Sequence, residues 1–380
     1  MHVPRVEYLR WAKALPDCAF QLASSGVPSV STADLDFDVR AIELASPSYY
    51  GLETLTACIA TTYGTQVERV LPLPGTTTAN FFALTCAFER GDRVLMELPV
   101  YEPLRRAAEF LGIDVQFIHR DPSRDFAIPL DAVQRGLANG ARGLVFSNLH
   151  NPSGVRCPTD DLHALSSMIG DAGAFMVVDE VYLDLATRCR GDAGWTAASL
   201  GDHVLTTNSL TKVYGLGGLR TGWLIAGESM IDRARSLMDH VHGANPLPSE
   251  QLGAIAFERL DRLTQRSRRL CEEGHRIVSD WLISRNDIHG YPSAGASFAL
   301  LRLETGIDGD ALGRLLIEEY DTLVVPGSFF DLPDHIRLGI AIEPTILAEG
   351  LRRIGIAIER LRTSINAQPR GGLSDHRKGK

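Results

Sequence analysis

A lysine and an arginine joined by a glycine-rich segment are the first candidates for chemistry in this chain. Lys212 ends the sequence Ser209-Leu210-Thr211-Lys212, and Arg220 follows it across a run rich in glycine. This arrangement would place an amine that can form an imine and a fixed cation that can bind phosphate in one pocket. The pairing therefore favours pyridoxal phosphate as a cofactor.

The composition of the chain is that of a globular enzyme. Its 380 residues favour two domains, and 44% of them are hydrophobic while 22% are charged. We find no apolar run of the roughly 20 residues that cross a bilayer and no apolar core of a signal peptide near Met1, so we expect a cytoplasmic protein with no membrane partner. A net charge of -9 argues against a general affinity for nucleic acid. The six cysteines lack CxxC spacing, so we expect neither disulfides nor a metal site.

Short apolar runs alternate with amphipathic segments from about Leu71 to Gly227, which is typical of parallel strands and crossover helices. The predicted strands are 93–97, 115–118, 143–147, 175–179, the run from His203, and 222–226. The predicted helices are 78–89, 103–110 and 159–169, which end at Gly91, Gly112 and Gly170 respectively. The pattern predicts an α/β fold. Its large domain would have three layers, α/β/α, with a mostly parallel sheet in the middle.

The pattern changes after about Met230. Long helical stretches lead to strand-like segments at 297–303 and 335–340, and a final helix is predicted from about Pro344 to Arg362. This part of the chain predicts a smaller α+β domain. The predicted organisation is an N-terminal segment contributing to the small domain, a large cofactor-binding domain, the small C-terminal domain and a disordered tail, with the bounds 1–45, 46–240, 241–365 and 366–380.

Polar residues that could do chemistry follow the predicted strands at their carboxyl ends. Asn151 comes shortly after the strand that ends at Ser147, and Asp179 closes the next strand. Lys212 follows the strand that starts near His203. Ligands of open α/β sheets bind at this edge, so we expect an amide, a carboxylate and a lysine to meet there.

Four motifs in register give the chain a family resemblance. They are Asn151-Pro152-Ser153-Gly154, Asp179-Glu180-Val181-Tyr182, Ser209-Leu210-Thr211-Lys212 and Arg220. With these motifs the chain resembles the class I/II aminotransferases, which are pyridoxal-phosphate enzymes of fold type I, from about Leu22 to Arg362. The resemblance implies pyridoxal 5'-phosphate as cofactor, and an amino acid and a 2-oxo acid as substrates.

The same resemblance implies three catalytic residues. Lys212 would hold the cofactor as a Schiff base and then move the proton at the substrate Cα. Asp179 would face the pyridine nitrogen and keep it protonated. Tyr101, in the sequence Leu98-Pro99-Val100-Tyr101, would stack on the cofactor ring.

Further residues are implied as cofactor ligands. Asn151 and Tyr182 would donate hydrogen bonds to the phenolate oxygen of the ring. The phosphate would be held by the Ser209 and Arg220 side chains and by the backbone N–H groups of Thr76 and Thr77, because the N-terminus of a helix binds anions.

Substrate binding is implied for residues from both ends of the chain. Arg337, in Ile336-Arg337-Leu338-Gly339, would grip the α-carboxylate with Asn151 beside it, and Gly26 would pass close to the substrate. Tyr49 or Tyr50 would reach the phosphate of a neighbouring subunit, which implies a homodimer with shared active sites. The family normally separates this tyrosine from its glycine, whereas Tyr50 directly precedes Gly51 here.

The motifs leave the reaction open between two classes. One interpretation is transamination. The other is a lyase or cyclising synthase that eliminates a substituent from Cβ. Both reactions begin with proton removal by Lys212. The segment Leu22-Ala23-Ser24-Ser25-Gly26-Val27 resembles the opening of family members that make cyclised, arginine-derived amino acids. A regulatory protein built on this fold is not expected, because only about 20 residues precede Gln21.

Overall fold

The structure is a computed structural model that describes residues 2–45, 48–188, 194–290, 292–304 and 306–367. Cys189 and residues 368–380 of the predicted disordered tail lie outside the described residues. The helices are α1 (Glu7–Lys13), α2 (Thr32–Leu35), α3 (Glu53–Thr62), α4 (Thr76–Ala87), α5 (Glu102–Leu111), α6 (Leu130–Ala138), α7 (Thr159–Asp171), α8 (Leu183–Arg188), α9 (Glu228–Val241), α10 (Leu247–Phe257), α11 (Leu260–Ile283), α12 (Gly309–Tyr320) and α13 (Pro344–Ala367). The strands are β1 (Phe20–Gln21), β2 (Val70–Leu73), β3 (Arg93–Leu98), β4 (Asp114–His119), β5 (Gly143–Ser147), β6 (Phe175–Asp179), β7 (Val204–Ser209), β8 (Gly222–Ile225), β9 (Ile288–His289), β10 (Phe298–Leu303), β11 (Thr322–Leu323), β12 (Val325–Pro326) and β13 (His335–Gly339).

A seven-stranded sheet forms the centre of the larger part of the molecule. Its order is β2-β8-β7-β6-β5-β3-β4. The pairs from β7 to β4 are parallel, whereas β8 runs antiparallel to both β7 and β2. The predicted mostly parallel sheet is thus confirmed. Because Asp179 lies opposite both Ser147 and Thr207, the carboxyl ends of three strands meet at one edge.

Helices cover both faces of this sheet, so the predicted three layers are confirmed. Val145 and Val177 belong to the core that contains α4 side chains such as Phe82. Leu144 and Phe146, which point to the opposite face, belong to the core that contains α7 side chains. The strands are apolar on both faces because both faces are buried.

Some element ends differ from the sequence predictions. Helix α4 begins at Thr76 rather than Thr78, because Gly75 with φ +85° turns the chain directly into the helix. Helix α7 continues through Gly170 to Asp171, and the left-handed glycine that follows it is Gly173 with φ +59°. Strand β2 was not predicted, because it contains Pro72 and lies at the edge of the sheet.

A second, antiparallel sheet of order β12-β13-β10-β9 forms the core of the smaller part with α12 and α13. The N-terminal segment joins this part, because β1 pairs in parallel with β11 and Leu22 is buried in its core. Strand β13 carries Arg337 opposite Leu300 of β10. These contacts place the N-terminal segment next to the strand that carries the predicted substrate arginine.

None of the helices in the described ranges combines the length and the apolar character that a membrane crossing needs. Across the same part of the chain, no group of three or more His, Cys, Asp and Glu side chains is arranged to hold a metal ion.

Candidate active site

Asp179 lies at the end of β6, where its carboxylate is almost completely buried. The Asn80 side-chain amide donates to one carboxylate oxygen at 2.7 Å, and the Val181 N–H donates to the other at 3.0 Å. Burial raises the pKa of Asp179 to about 6, although Asn80, Val181 and the Lys212 charge all act to lower it. A buried carboxylate with neutral hydrogen-bond partners is a strong site for a cation.

Lys212 follows β7, and its amine points to a residue of the N-terminal segment. The Lys212 Nζ donates to the Ser25 hydroxyl at 3.1 Å, and the Tyr182 hydroxyl donates to the same oxygen at 2.8 Å. The backbone of Ser25 is fixed in turn, because the Ser297 hydroxyl donates to the Ser25 carbonyl at 2.6 Å. Ser25 thus joins the predicted imine-forming lysine to the predicted phenolate ligand Tyr182.

Gly26 lies directly against Lys212. A Cβ at this position would come within 3.2 Å of the Lys212 carbonyl oxygen and 3.3 Å of its Cα. The next residue anchors the segment, because the Val27 N–H donates to the Lys212 carbonyl at 3.0 Å. A side chain at residue 26 would push the segment away from the lysine, which gives the predicted glycine a steric reason.

Arg337 is buried, and its guanidinium contacts both Asn151 and the N-terminal helix. Nη1 donates to the Asn151 Oδ1 at 2.7 Å, and Nη2 donates to the Tyr8 hydroxyl at 2.9 Å. The Phe330 and Phe298 rings lie 5.0 and 5.5 Å from the guanidinium carbon. The Arg337 Nε is buried without a hydrogen-bond partner within the described part of the chain. A buried cation with an unused donor is suited to bind a carboxylate.

A buried network fixes Asn151 in this position. The Asn151 N–H donates to the Ser147 hydroxyl at 3.0 Å, and that hydroxyl donates to Glu97 at 2.6 Å. Glu97 also forms a buried ion pair with Arg120 at 2.6 Å. Burial raises the pKa of Glu97, although Arg120 and Ser147 oppose this shift. The backbone of Asn151 is therefore held from within the large sheet, independently of Arg337.

The N-terminus of α4 faces Arg220. The guanidinium of Arg220 lies against Gly75, where a Cβ would collide with it, and it donates to the Pro74 carbonyl at 3.3 Å. Thr76 Oγ1 is buried and has no hydrogen-bond partner among the described residues. Unpaired helix N–H groups, an unpartnered hydroxyl and a guanidinium form a set of donors for a phosphate. Ser209 is completely buried at the neighbouring end of β7.

Tyr101 directly precedes α5 and lies near Asp179, Tyr182 and Tyr8. Its pKa is raised by burial and by the neighbouring Tyr8, Tyr182 and Asp179. A cavity of about 330 Å³ is lined by Tyr101, Asn80 and Thr77, among others. The Tyr101 ring therefore borders the cavity beside the N-terminal turns of α4 and lies near the Asp179 carboxylate.

The structure does not bring the predicted cross-subunit tyrosines into this cluster. Tyr49 is 75% exposed and Tyr50 is 40% exposed. The Tyr50 hydroxyl donates to Asp239 at 3.0 Å, and Arg235 lies over its ring. Both side chains lie on the surface of this single chain.

The arrangement fits pyridoxal phosphate in three respects. The donors at the N-terminus of α4 match a phosphate, and the unpartnered Thr76 hydroxyl is one of them. Among the described residues the buried Asp179 has no cationic hydrogen-bond partner, and a protonated ring nitrogen would supply one. The Lys212 amine lies within the same cluster, since its charge acts on Asp179.

Sequence reasoning missed several residues of this cluster. Asn80 lies one turn into α4 and bridges Asp179 to the Thr207 hydroxyl, which donates to it at 2.5 Å. Ser25 directly precedes the predicted Gly26, so its position could have been noted from the sequence. Tyr8 belongs to a short helix far from every motif, and no sequence signal marked it.

Comparison with known proteins identifies relatives over most of the chain. A family model described as aminotransferase class I and II matches residues 25–354. Capreomycidine synthase of Streptomyces vinaceus is 29% identical over 333 residues, which cover 84% of this chain and 82% of that protein. An aspartate aminotransferase of Streptomyces avermitilis is 24% identical over 363 residues, which cover 87% of each.

Solved structures show the same fold. A PLP-dependent aminotransferase of Streptococcus suis superposes with a TM-score of 0.88 at 22% identity, covering 95% of this chain and 99% of that one. The PLP-dependent cyclase OrfR superposes with a TM-score of 0.84 at 24% identity, covering 95% and 98%. The fold is thus fold type I, as predicted.

Proposed function

Because this chain belongs to the class I and II aminotransferases, we propose that it transfers an amino group between an L-amino acid and a 2-oxo acid. Its cofactor is pyridoxal 5'-phosphate. The observation that carries the proposal is the convergence of Lys212, Asp179 and Arg337 on one site, since Lys212 acts electrostatically on Asp179 and, with Arg337, on Tyr8.

Each of these side chains has a distinct task in the proposed reaction. When bound, the cofactor supplies an aldehyde that an amine can capture and a ring that withdraws electrons from the bonds at the substrate Cα. The Asp179 carboxylate would hold the ring nitrogen, while Tyr182 and Asn151 would hold the phenolate side. The Lys212 amine would take the proton from the substrate Cα and deliver it to the C4′ carbon of the cofactor.

Substrate binding follows from the paired side chains on β13 and the loop after β5. The Arg337 fork would bind the α-carboxylate and so orient the Cα–H bond toward Lys212. Asn151 holds Arg337 at 2.7 Å, so it would fix the orientation of the guanidinium before substrate arrives. Arg220, Ser209 and the N–H groups of Thr76 and Thr77 would hold the phosphate.

The amino transfer can be tested by absorbance. Addition of a single amino acid to the purified protein with cofactor should move the absorbance band from about 420 nm to about 330 nm, and a 2-oxo acid should reverse the change. Lys212→Ala should abolish the change, whereas Lys13→Ala, a change to an exposed lysine, should not. Failure of every amino acid to move the band would refute amino transfer.

A cyclising synthase is the second candidate, and a specific observation favours it. The relative that is 29% identical is named capreomycidine synthase, and the solved structure with a TM-score of 0.84 is a cyclase. An arginine derivative that carries a leaving group on Cβ would then lose the Cα proton and that group, and a nitrogen of its guanidinium would add to Cβ and close the ring. Such a reaction needs no 2-oxo acid and retains the amino group, so mass spectrometry of the product without added 2-oxo acid separates the two candidates.

We further propose that the working unit is a homodimer in which Tyr49 or Tyr50 reaches the neighbouring subunit. The exposure of both rings in the single chain supports this proposal. Light scattering should give twice the mass of one chain. A mixture of Lys212→Ala chains with chains in which both tyrosines are changed to phenylalanine should regain part of the activity; absence of regain would refute the shared site.

A further inference from the structure

Tyr8 on α1 is the side chain of the N-terminal helix that reaches the site. Its ring is almost completely buried among aromatic neighbours. Ring centroids of Phe329, Tyr101 and Phe330 lie 5.7, 5.9 and 6.0 Å away. The phenol is therefore fixed between the predicted stacking tyrosine and the strand that carries Arg337.

A carboxylate of α5 holds the first turn of α1 in place. The Glu102 side chain accepts from the Tyr8 N–H at 2.6 Å and from the Glu7 N–H at 3.2 Å. Arg106 pairs with the same carboxylate at 3.0 Å. An anion at a helix N-terminus stabilises the helix, so the position of Tyr8 is set by α5 as well as by its ring contacts.

The hydroxyl of Tyr8 is left with an unused proton. Its oxygen accepts from the Arg337 Nη2 at 2.9 Å, and within the described residues the hydroxyl donates to no acceptor. Burial would raise the pKa of Tyr8, but the charges of Arg337 and Lys212 outweigh it and lower the pKa. A phenol that accepts from a cation is polarised and is a stronger donor.

We propose that Tyr8 is a substrate-binding residue whose hydroxyl donates a hydrogen bond to the α-carboxylate that Arg337 binds. The inference rests on the proposed function, because it extends the carboxylate site of that reaction. A carboxylate accepts up to about four hydrogen bonds, and Arg337, which already donates to Asn151 and to Tyr8, does not fill them. Tyr8 thereby makes α1 part of the substrate site.

The substitution Tyr8→Phe tests this proposal, because it removes the hydroxyl and keeps the aromatic ring. Tyr8→Phe in the holoenzyme should raise the Kd for propionate, a carboxylate without an amino group, about 10-fold. The KM for an amino acid should rise by a similar factor with kcat nearly unchanged. Binding of propylamine, which lacks a carboxylate, should stay the same. Tyr320→Phe, at a half-buried tyrosine that packs against the core of the smaller part, is the matched control and should change none of these values.

Several outcomes decide the matter. Equal propionate affinity in Tyr8→Phe and the parent would overturn the assignment, as would an equal loss for propionate and propylamine, which indicates a structural role. Thermal unfolding of the holoenzyme checks that the variant folds. If no amino acid is transaminated but Tyr8→Phe still weakens propionate selectively, the proposed function fails and the assignment of Tyr8 stands.

Discussion

Replacement of Asp179 by asparagine should stabilise the protein without cofactor, and the gain should depend on pH. Burial raises the pKa of this carboxyl from its ordinary 3.8 to about 6. Each pKa unit corresponds to about 1.4 kcal/mol, so ionisation of Asp179 costs the folded chain about 3 kcal/mol in the absence of a cation.

The sign follows from proton binding. The folded chain holds the Asp179 proton to a higher pH than the unfolded chain does, so the free energy of unfolding falls as the pH rises from 3.8 to about 6. Above about pH 6 the ionised Asp179 lowers the free energy of unfolding by the full amount of about 3 kcal/mol. Asparagine does not ionise, so the free energy of unfolding of Asp179→Asn, relative to the parent, should rise by about 2 kcal/mol between about pH 4.5 and pH 7.

Urea unfolding of cofactor-free protein at the two pH values measures this change. The altered hydrogen bonds to Asn80 and Val181 cost the same at both pH values, so they cancel in the comparison. A relative stability that does not change with pH would refute the reasoning.

A neighbouring carboxyl provides the matched control. Glu180 is also buried, and burial raises its pKa to about 8 with smaller contributions from the Asp184 and Asp179 charges. Its hydrogen-bond partners are Thr196 and the Ala197 N–H, which lie outside the candidate site. The free energy of unfolding of Glu180→Gln, relative to the parent, should therefore continue to rise up to about pH 8. If Asp179 binds the ring nitrogen as proposed, added cofactor should remove the advantage of Asp179→Asn, because that nitrogen would supply the missing cation. It should leave the effect of Glu180→Gln unchanged.

Three further substitutions test other parts of the site. Arg337→Lys should raise KM about 100-fold for every substrate with an α-carboxylate, because the bidentate fork is lost; unchanged steady-state kinetics would remove this residue from the site. Gly75→Ala should weaken cofactor binding at least 10-fold in equilibrium titrations, because the new Cβ meets Arg220 and the backbone has φ +85°; retained affinity would contradict the packing. Ser25→Ala should lower the rate of proton transfer by Lys212 about 10-fold in stopped-flow absorbance, because the amine loses its acceptor; an unchanged rate would show that Ser25 does not position the lysine.

The central sheet was predictable because its inner strands are continuous apolar segments in the sequence. Strands β5 and β6 are buried on both faces, so they read as continuous apolar runs, and both were predicted with their observed bounds. The motif residues were placed correctly at the carboxyl ends of these strands. Their implied roles in catalysis remain predictions, since position alone does not test them.

Other parts of the site depend on packing between distant segments. Asn80 is one helical turn beyond Gly75, and only the approach of α4 to β6 makes it a partner of Asp179. Tyr8 and Ser25 join the site only through contacts with Arg337 and Lys212, which follow them by 329 and 187 residues respectively. Local patterns carry no information on such pairs, so the sequence alone could not place them.

The pairing of Phe20 with Thr322 and of the Leu22 carbonyl with the Gly339 N–H has a consequence for biosynthesis. Asp179, Lys212 and Arg220 leave the ribosome long before β11 and β13 are translated. The segment around Ser25 can by then contact the Lys212 backbone through the Val27 N–H, and it gains its partners on β11 and β13 only once those strands are translated.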